Sequence, residues 1–475
     1  MDSPQKSMAQ SIDGKTIALT LPGPRPSLAL LSAEKLEPIA SIPLPHIPEW
    51  VVPGPTDNLW NISSRHHPAI IQVKHQQGQW QAWVKKLRRP LISMIPSDTG
   101  NHIFATTTGY RTDGTTLIGN HFIQDQILKL NAETLDLTSR LLTHRRAETP
   151  KAPGDFLKWT AGAGPSSITL MNNGDLLVAF SGTTQWWRVN SDLKGSIQDI
   201  PIRKAGLSAP HTAMELNDRI LLLTSPSEGT LGLYDSMEKT TELYQLGLSD
   251  DALQASYPSA RQRREGEKAF YEATRSGRSC QSCHMHSESD HSAHNIGDQE
   301  LMPATLSVRG IAGTSPYLRG GAYNQVRELL HVPEELLGGY FFADPMRASN
   351  IEHYVASLAQ PAQTGPTTKS GLEREQRGLD AFVKAQCTSC HAFPAFTDLS
   401  QHPARRLFPT FPEANLELDT PSLIGLKATG PYLFDGRALK ISDVFEHHHE
   451  GTQHGEMAAL SRQEKSDLYY FLGTL

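Results

Sequence analysis

The 475-residue chain has few cysteines, no long apolar run and no excess of basic residues. A bilayer-spanning helix needs about 20 consecutive apolar residues, and no such run occurs, which argues against a transmembrane span. The formal charge of −6 lacks the basic footprint that nucleic-acid binding requires. The opening residues, MDSPQKSMAQSIDGKTIALT, also lack the charged segment and apolar stretch of an export signal.

The cysteines of the chain form two Cys-x-x-Cys-His motifs, and there are only four cysteines in total. The motif residues are Cys280, Cys283 and His284 in RSCQSCHMHS, and Cys387, Cys390 and His391 in AQCTSCHAF. A zinc ribbon needs no histidine directly after each pair, and a thioredoxin-like pair is expected once, near a βαβ pattern. In Cys-x-x-Cys-His the thiols form thioethers to the haem vinyl groups, and the imidazole becomes the proximal iron ligand. We therefore predict two covalently bound haem c groups.

Two haem c motifs also bear on localisation. Haem c is attached outside the cytoplasm, so a bacterial chain of this kind is expected in the periplasm or on the outer face of the membrane. Since the sequence carries no export signal of its own, we expect a missing or removed signal rather than a cytosolic protein.

The first half of the chain, residues 1–248, has an all-β pattern. Five segments share a turn, an apolar strand, a break and a second strand. The turns lie near Gly14, Asn58, Asn101, Gly174 and Asn217. Most are just over 40 residues apart, which is the period of propeller blades. The pattern resembles β-propellers of the YVTN/lactonase-like type, either a small propeller or part of a larger ring, with a β-sandwich as the alternative.

The second half reads as a tandem repeat of a mainly helical unit. Each haem motif follows a helical segment, SARQRREGEKAFYEATRS in one repeat and SGLEREQRGLDAFVKAQ in the other. Each is then followed by a matching block, GTSPYLRGGAYNQVRELLHV or ATGPYLFDGRALKISDVFEHHHEG, and by a closing helix, NIEHYVASL or DLYYFLGTL. We predict a first haem unit at residues 249–362 and a second at residues 363–475.

Residues 256–475 resemble the bacterial dihaem cytochrome c peroxidase/MauG superfamily, most specifically over DTPSLIGLKATGPYLFDGRALKISDVFEHHHEG. The resemblance implies a mainly helical fold in which two haems exchange electrons across the interface between the units. The chain departs from it in two ways. It carries a propeller before the haem units, and Arg319 aligns where the peroxidases usually have a tryptophan between the haems.

The resemblance also points to the distal ligand of the second haem. It places that ligand at His448, on a helix that begins at Ile441, and the flanking His447 and His449 could substitute. His454 is expected to support the loop. A haem whose sixth position is filled passes electrons, so His448 would make the second haem an electron-transfer centre.

The same alignment places Pro333 at the distal position of the first haem, and proline cannot bind iron. Met302, in a Met-Pro sequence, and His331 are the candidate ligands, and an open or water-bound iron is the third possibility. An open iron is where the resemblance implies a peroxide site.

Four residues of the first repeat are candidates for catalysis. Glu328, Glu334 and Glu335 would act as acid/base groups, although exposed helix glutamates are common. Tyr317, like Tyr432 in the second repeat, would relay or gate an electron, or pack against a haem edge.

Three functions follow from these predictions. The leading one is a peroxidase-like oxidoreductase in which peroxide reacts at the first haem and electrons pass through the second. The alternative is a non-enzymatic electron carrier with two six-coordinate haems, whose propeller docks a protein partner. In both, the expected partner is a redox protein that donates or accepts electrons. The third is a catalytic propeller with the haems as its electron outlet. The propeller histidines form no evident metal cluster, and the pair His66 and His67 is expected in a surface loop.

Overall fold

The computed structural model of the chain describes residues 7–22, 26–64, 67–110, 123–146, 159–162, 164–194, 197–200, 211–225, 229–247, 258–274, 278–294, 303–337, 339, 341–360, 365–404, 416–446 and 454–475. The chain divides into two compact units. One comprises residues 1–282 with 337–340, and the other comprises residues 283–336 with 341–475. No helix within the described ranges is both long and apolar enough to cross a membrane.

The described residues of the first unit form five four-stranded antiparallel sheets, and within each sheet the strands pair in sequence order. The first sheet is formed by β1 (Met8–Gln10), β2 (Thr16–Leu21), β3 (Ser27–Ser32) and β4 (Pro38–Pro43). The second is formed by β5 (Pro48–Pro53), β6 (Leu59–Ser64), β7 (Ala69–Gln76) and β8 (Gln79–Lys86). The third is formed by β9 (Leu91–Pro96), β10 (His102–Tyr110), β11 (Ile123–Asn131) and β12 (Leu137–Leu142).

The two remaining sheets follow a two-stranded hairpin. The hairpin consists of β13 (His144–Arg146) and β14 (Trp159–Ala161). The fourth sheet is formed by β15 (Pro165–Leu170), β16 (Leu176–Phe180), β17 (Gln185–Val189) and β18 (Gln198–Ile200). The fifth is formed by β19 (Thr212–Glu215), β20 (Ile220–Ser225), β21 (Thr230–Asp235) and β22 (Thr240–Gln245). The predicted five repeats of an all-β propeller-like region are confirmed.

Apolar clusters join each sheet to the next. Leu30 of the first sheet packs with Trp60 of the second, and Phe104 of the third with Phe180 of the fourth. A sandwich buries one core between two sheets, whereas here each sheet shares a core with its successor. This serial packing is that of propeller blades rather than of a β-sandwich.

Each blade has four strands, two more than the sequence pattern predicts, because the pattern omits the first strand and takes the last two as one. The turns near Gly14 and its counterparts precede the second strand of each sheet, so the first strands β1, β5, β9, β15 and β19 come before the repeated pattern. Strand β5, PEWVVP, is buried along nearly its whole length. A strand covered on both faces does not alternate apolar with polar residues, so its sequence lacks the period of two that marks a half-buried strand.

Helices dominate the remainder of the chain. Helix α1 (Pro258–Tyr271) belongs to the first unit, although it leads into the first haem motif. The others are α2 (His331–Leu337), α3 (Pro345–Ala356), α4 (Lys369–Lys384), α5 (Asp443–Glu446) and α6 (Arg462–Leu472), with a hairpin of β23 (Gln401–Pro403) and β24 (Glu417–Asp419). The mainly helical second half predicted from the sequence is confirmed.

Helices α4 and α6 form the core of the second haem repeat. Phe382 of α4 is buried against Leu468 and Phe471 of α6. The helices approach closely because Gly378 has no side chain: a Cβ there would lie 2.2 Å from the backbone oxygen of Asp467. The Asp467 carboxylate, only 2% exposed, accepts hydrogen bonds from Arg374 Nε at 3.0 Å and Arg377 Nε at 2.9 Å.

The block after each haem motif folds in the same way in both repeats. Tyr317 pairs with Tyr323 in an isolated antiparallel bridge, and Tyr432 pairs with Ala438 in the equivalent bridge. The segment that follows is also capped alike. The Glu328 carboxylate accepts two backbone N–H groups at 2.8 and 2.9 Å, and that of Asp443 accepts two at 3.2 and 3.0 Å. The donors are Asn324 and Gln325 in the first repeat, and Leu439 and Lys440 in the second.

Candidate haem sites

Both candidate proximal histidines are partly buried, and each is oriented by a backbone carbonyl. The Nδ1 atom of His284 lies 2.9 Å from the oxygen of Leu306, and that of His391 lies 3.0 Å from the oxygen of Phe396. A proton on Nδ1 that is donated to a carbonyl leaves Nε2 as the metal-binding nitrogen. Burial lowers the pKa of both imidazoles, which favours the neutral form that binds iron.

The four cysteines are partly exposed, and none is in a disulfide. Residues Cys280–Ser282 and Cys387–Ser389 each form a short 3-10 turn at the start of the motif. Burial raises the pKa of Cys387 to about 11, so this group is held as a thiol. Reduced, partly accessible thiols beside an oriented imidazole fit the attachment of haem c through two thioethers.

A buried carboxylate–imidazole pair lies beside the first motif, and the sequence analysis did not single it out. The Asp290 Oδ2 atom is 2.7 Å from His294 Nε2, and Asp290 Oδ1 accepts the backbone N–H of Ser292 at 3.1 Å. The donor atoms of Cys283, Asp290 and His294 all lie within 4.8 Å of one another. The pair therefore lies against a sulfur that haem attachment would use.

The second repeat contains the same arrangement. Asp398 Oδ2 lies 2.7 Å from His402 Nε2, Asp398 Oδ1 accepts from Ser400 N at 3.1 Å, and Cys390 completes a group within 4.8 Å. The shared signal is Asp-x-Ser-x-His, found shortly after each Cys-x-x-Cys-His motif. Comparing the two repeats downstream of the axial histidines would have revealed it.

Burial distinguishes the two pairs. The Asp290 and His294 side chains are 0% and 3% exposed, whereas those of Asp398 and His402 are 20% and 25% exposed. A charge in the first pair is therefore screened less by water than one in the second.

The two haem repeats exchange equivalent backbone hydrogen bonds. Ala304 N donates to Phe434 O at 2.8 Å, and Asp419 N donates to Arg319 O at 2.9 Å. The Arg319 side chain then donates from Nε to Ala304 O at 2.9 Å and from Nη1 to Leu433 O at 2.9 Å. Arg319, at the position of the peroxidases' tryptophan, therefore clasps the two repeats together. Its burial lowers its pKa to about 10.

Two further groups at this junction are electrostatically unusual. The Oδ1 atom of Asp419 is buried without a hydrogen-bond partner, and burial, helped by the charge of Asp398, raises the pKa of Asp419 to about 7. Tyr432 donates its hydroxyl proton to Leu426 O at 3.0 Å, and burial raises its pKa to about 12. Tyr317, its counterpart in the first repeat, is 8% exposed, and burial raises its pKa too.

The candidate acid/base residues lie on one short segment. Glu328 is engaged as the cap described above, whereas Glu334 is partly exposed and Glu335 is exposed on α2. Their catalytic roles, like that of Tyr317, stay predictions.

The structure describes one of the candidate distal ligands, His331. His331 begins α2 and is exposed, and its ring stacks on Phe342 with the centroids 4.3 Å apart. Met302 and His448 lie outside the described residues, as do His447 and His449. The matched caps at Glu328 and Asp443 support the alignment that puts Pro333 at the position of His448.

One other histidine lies near the second proximal ligand. The ring of His454 lies parallel to that of His391, with centroids 6.2 Å apart and an interplanar angle of 16°.

Among the described residues, two groups of three side chains could hold a metal ion, and both lie beside the haem motifs rather than in the propeller. His46 and His67 stack with ring centroids 4.1 Å apart, and His66 lies outside the described residues.

Comparison with known proteins finds sequence similarity to part of the chain. No family model matches the chain. It is 31% identical over 119 residues to the methylamine utilization protein MauG of Methylorubrum extorquens, an alignment covering 21% of this chain and 34% of the relative. The chain thus spans about a third of the length of that curated relative.

Several solved structures are similar to about half of the chain. Hydrazine synthase of Kuenenia stuttgartiensis is 21% identical, covering 45% of this chain and 87% of its own, with a TM-score of 0.39. A MauG-like protein associated with microbial copper homeostasis is 19% identical, covering 45% and 88%, with a TM-score of 0.36. Streptogramin B lyase is 14% identical, covering 52% and 72%, with a TM-score of 0.34.

Proposed function

We propose that this chain is a periplasmic dihaem c-type oxidoreductase of the peroxidase-like class. The observation that carries the proposal is the pair of partly buried imidazoles, His284 and His391, each with Nδ1 hydrogen-bonded to a backbone carbonyl and each adjacent to reduced cysteines. Similarity to MauG supports the same class.

The haem groups would supply one-electron chemistry, and the protein residues would position them. His284 and His391 would be the proximal ligands, and the four motif cysteines would hold the macrocycles. Peroxide would react at the first haem, where Pro333 replaces the distal histidine, and electrons from a redox protein would enter through the second. Glu334 and Glu335 would exchange the protons that peroxide reduction consumes, because Glu328 is engaged as a cap.

Haem stoichiometry is the first test. Protein made with haem-maturation machinery should exceed the chain mass by two haems. The paired variants C280A/C283A and C387A/C390A should each lose one haem and keep the other, which makes each the control for the other. A colourless, stable, zinc-loaded protein would eliminate the proposal.

Spectroscopy and peroxide separate an enzyme from a carrier. The oxidised or half-reduced protein should contain one high-spin haem that reacts with hydrogen peroxide, as electron paramagnetic resonance would detect. If both haems stay low-spin in every redox state and peroxide leaves the spectrum unchanged, the electron-carrier alternative replaces the enzyme. In that case the propeller would dock a protein partner.

A further inference from the structure

We infer that the Asp-x-Ser-x-His motif after each haem attachment site sets the reduction potential of the adjacent haem, and that the first copy acts more strongly. The inference rests on haem c attachment, the first part of the proposed function, and not on peroxide chemistry. Asp290 and His294 are thus positioning residues of the first site, and Asp398 and His402 of the second.

The structure of the pair indicates a fixed charge rather than a mobile one. Each carboxylate has one oxygen on an imidazole and the other on a backbone N–H, as described above, so neither can rotate away without losing a bond. A second-shell partner held in this way acts on a metal site through a constant electrostatic field.

The location of the pair relates that field to the haem. The Asp290 carboxylate lies within 4.8 Å of Cys283 Sγ, one of the two sulfur atoms to which the first haem would be attached. A negative charge stabilises the ferric state relative to the ferrous state because the ferric haem carries one more positive charge. The carboxylate should therefore lower the reduction potential.

Burial makes the two copies unequal. Asp290 is fully buried, whereas Asp398 is 20% exposed, and water and salt weaken the field of the exposed charge. The same substitution should therefore have a larger effect in the first repeat.

A metal site formed by Cys283, Asp290 and His294 is the competing interpretation. It requires a free Sγ and a free imidazole nitrogen facing the carboxylate. Haem attachment consumes the sulfur, and His294 Nε2 already contacts Asp290. The arrangement therefore favours the electrostatic role.

The test is a potentiometric titration of the haem-loaded protein followed by visible absorbance. Asp290→Asn should raise the reduction potential of the first haem by at least about 59 mV. For a one-electron couple, this shift corresponds to a tenfold change in the ferrous-to-ferric ratio. Asp398→Asn is the matched variant and should raise the potential of the second haem by less. The C387A/C390A background, which keeps only the first haem, assigns the signals.

Two more variants keep the inference testable if Asp290→Asn fails to fold. Asp290→Glu should retain the wild-type potential of the first haem because it keeps the charge. His294→Gln should lower that potential because the carboxylate loses its imidazole partner. An unchanged potential in both Asp290→Asn and His294→Gln, or equal shifts in the two repeats, would overturn the inference. Loss of haem from the wild-type protein would instead contradict the proposed function.

Discussion

The two repeats share the surroundings of their motif histidines and differ at the predicted distal position and at their junction. Both have a motif histidine held by a backbone carbonyl, an Asp-x-Ser-x-His pair and a carboxylate-capped segment. Pro333 in one repeat corresponds to His448 in the other, and Arg319 corresponds to Phe434. The features predicted to hold a haem therefore occur in both repeats, whereas the residues at the predicted distal position differ.

The sharpest test of this difference is the spin state of each haem. His448→Ala should convert the second haem from low-spin to high-spin and leave the first unchanged, because it removes the expected distal ligand. Electron paramagnetic resonance measures this. An unaltered spectrum would assign the role to His447 or His449, or leave that iron open.

The same measurement identifies any ligand of the first haem. If that haem proves to be low-spin, Met302→Ala and His331→Ala separate the candidates, since only the true ligand opens the iron when removed. A first haem that is already high-spin should be unaffected by either substitution.

Among the differences between the two repeats, the Arg319 side chain should contribute most to the free energy of unfolding. Arg319→Met removes the side-chain donors of Ala304 O and Leu433 O, and each unsatisfied buried carbonyl costs about 1–3 kcal/mol. Thermal unfolding should show a clear loss. Arg437→Ala is the control, because its ion pair with Asp435 is partly exposed and worth about 0–1 kcal/mol. Equal effects of the two variants would show that Arg319 is not a clasp.

Helix packing in the second repeat should be less sensitive but still measurable. Gly378→Ala should destabilise the protein by about 1–3 kcal/mol, because the new Cβ would overlap the backbone of α6. Gly365→Ala is the matched control, since a Cβ there meets nothing within 4 Å. Calorimetry should show a lower melting temperature only for the first variant. Equal melting temperatures would mean that α4 and α6 are less tightly packed than the structure shows.

A smaller, pH-dependent effect on stability is expected at Asp419. The equivalent residue of the first repeat is Ala304. The folded pKa is about 7 and that of an unfolded aspartate about 3.9, so only the unfolded state loses its proton between these values. Native stability should therefore fall as the pH rises through this window. Asp419→Asn should raise the melting temperature at pH 8 and have little effect at pH 4.

A control with the opposite sign lies in the propeller. The Arg219 hydrogen bond lowers the pKa of Asp235 to about 2, so its stabilising effect is present above the unfolded pKa and is lost as the pH falls toward 2. Asp235→Asn should lower the melting temperature at neutral pH. Identical pH profiles for the two variants would contradict both assignments.

Local signals made much of this molecule predictable from its sequence. Cys-x-x-Cys-His predicts a haem site by itself, and α4 and α6 lie over the segments predicted to be helical, SGLEREQRGLDAFVKAQ and DLYYFLGTL. The first strand β5 was missed because burial on both faces removes alternation, whereas β1 and β19 have only three and four residues, too few to show a period. The clasp was missed for another reason: Arg319 was noted as a departure, but its carbonyl partners carry no sequence signal.

The exchanged backbone bonds at the repeat junction have a consequence for how the molecule arose. Ala304 donates to Phe434, and Asp419 donates to Arg319, which is the reciprocal pattern of an isologous homodimer interface. A tandem duplication would have converted that contact between two copies into one within a single chain. Each half would still present a self-complementary edge, so an isolated second repeat should pair with another copy of itself.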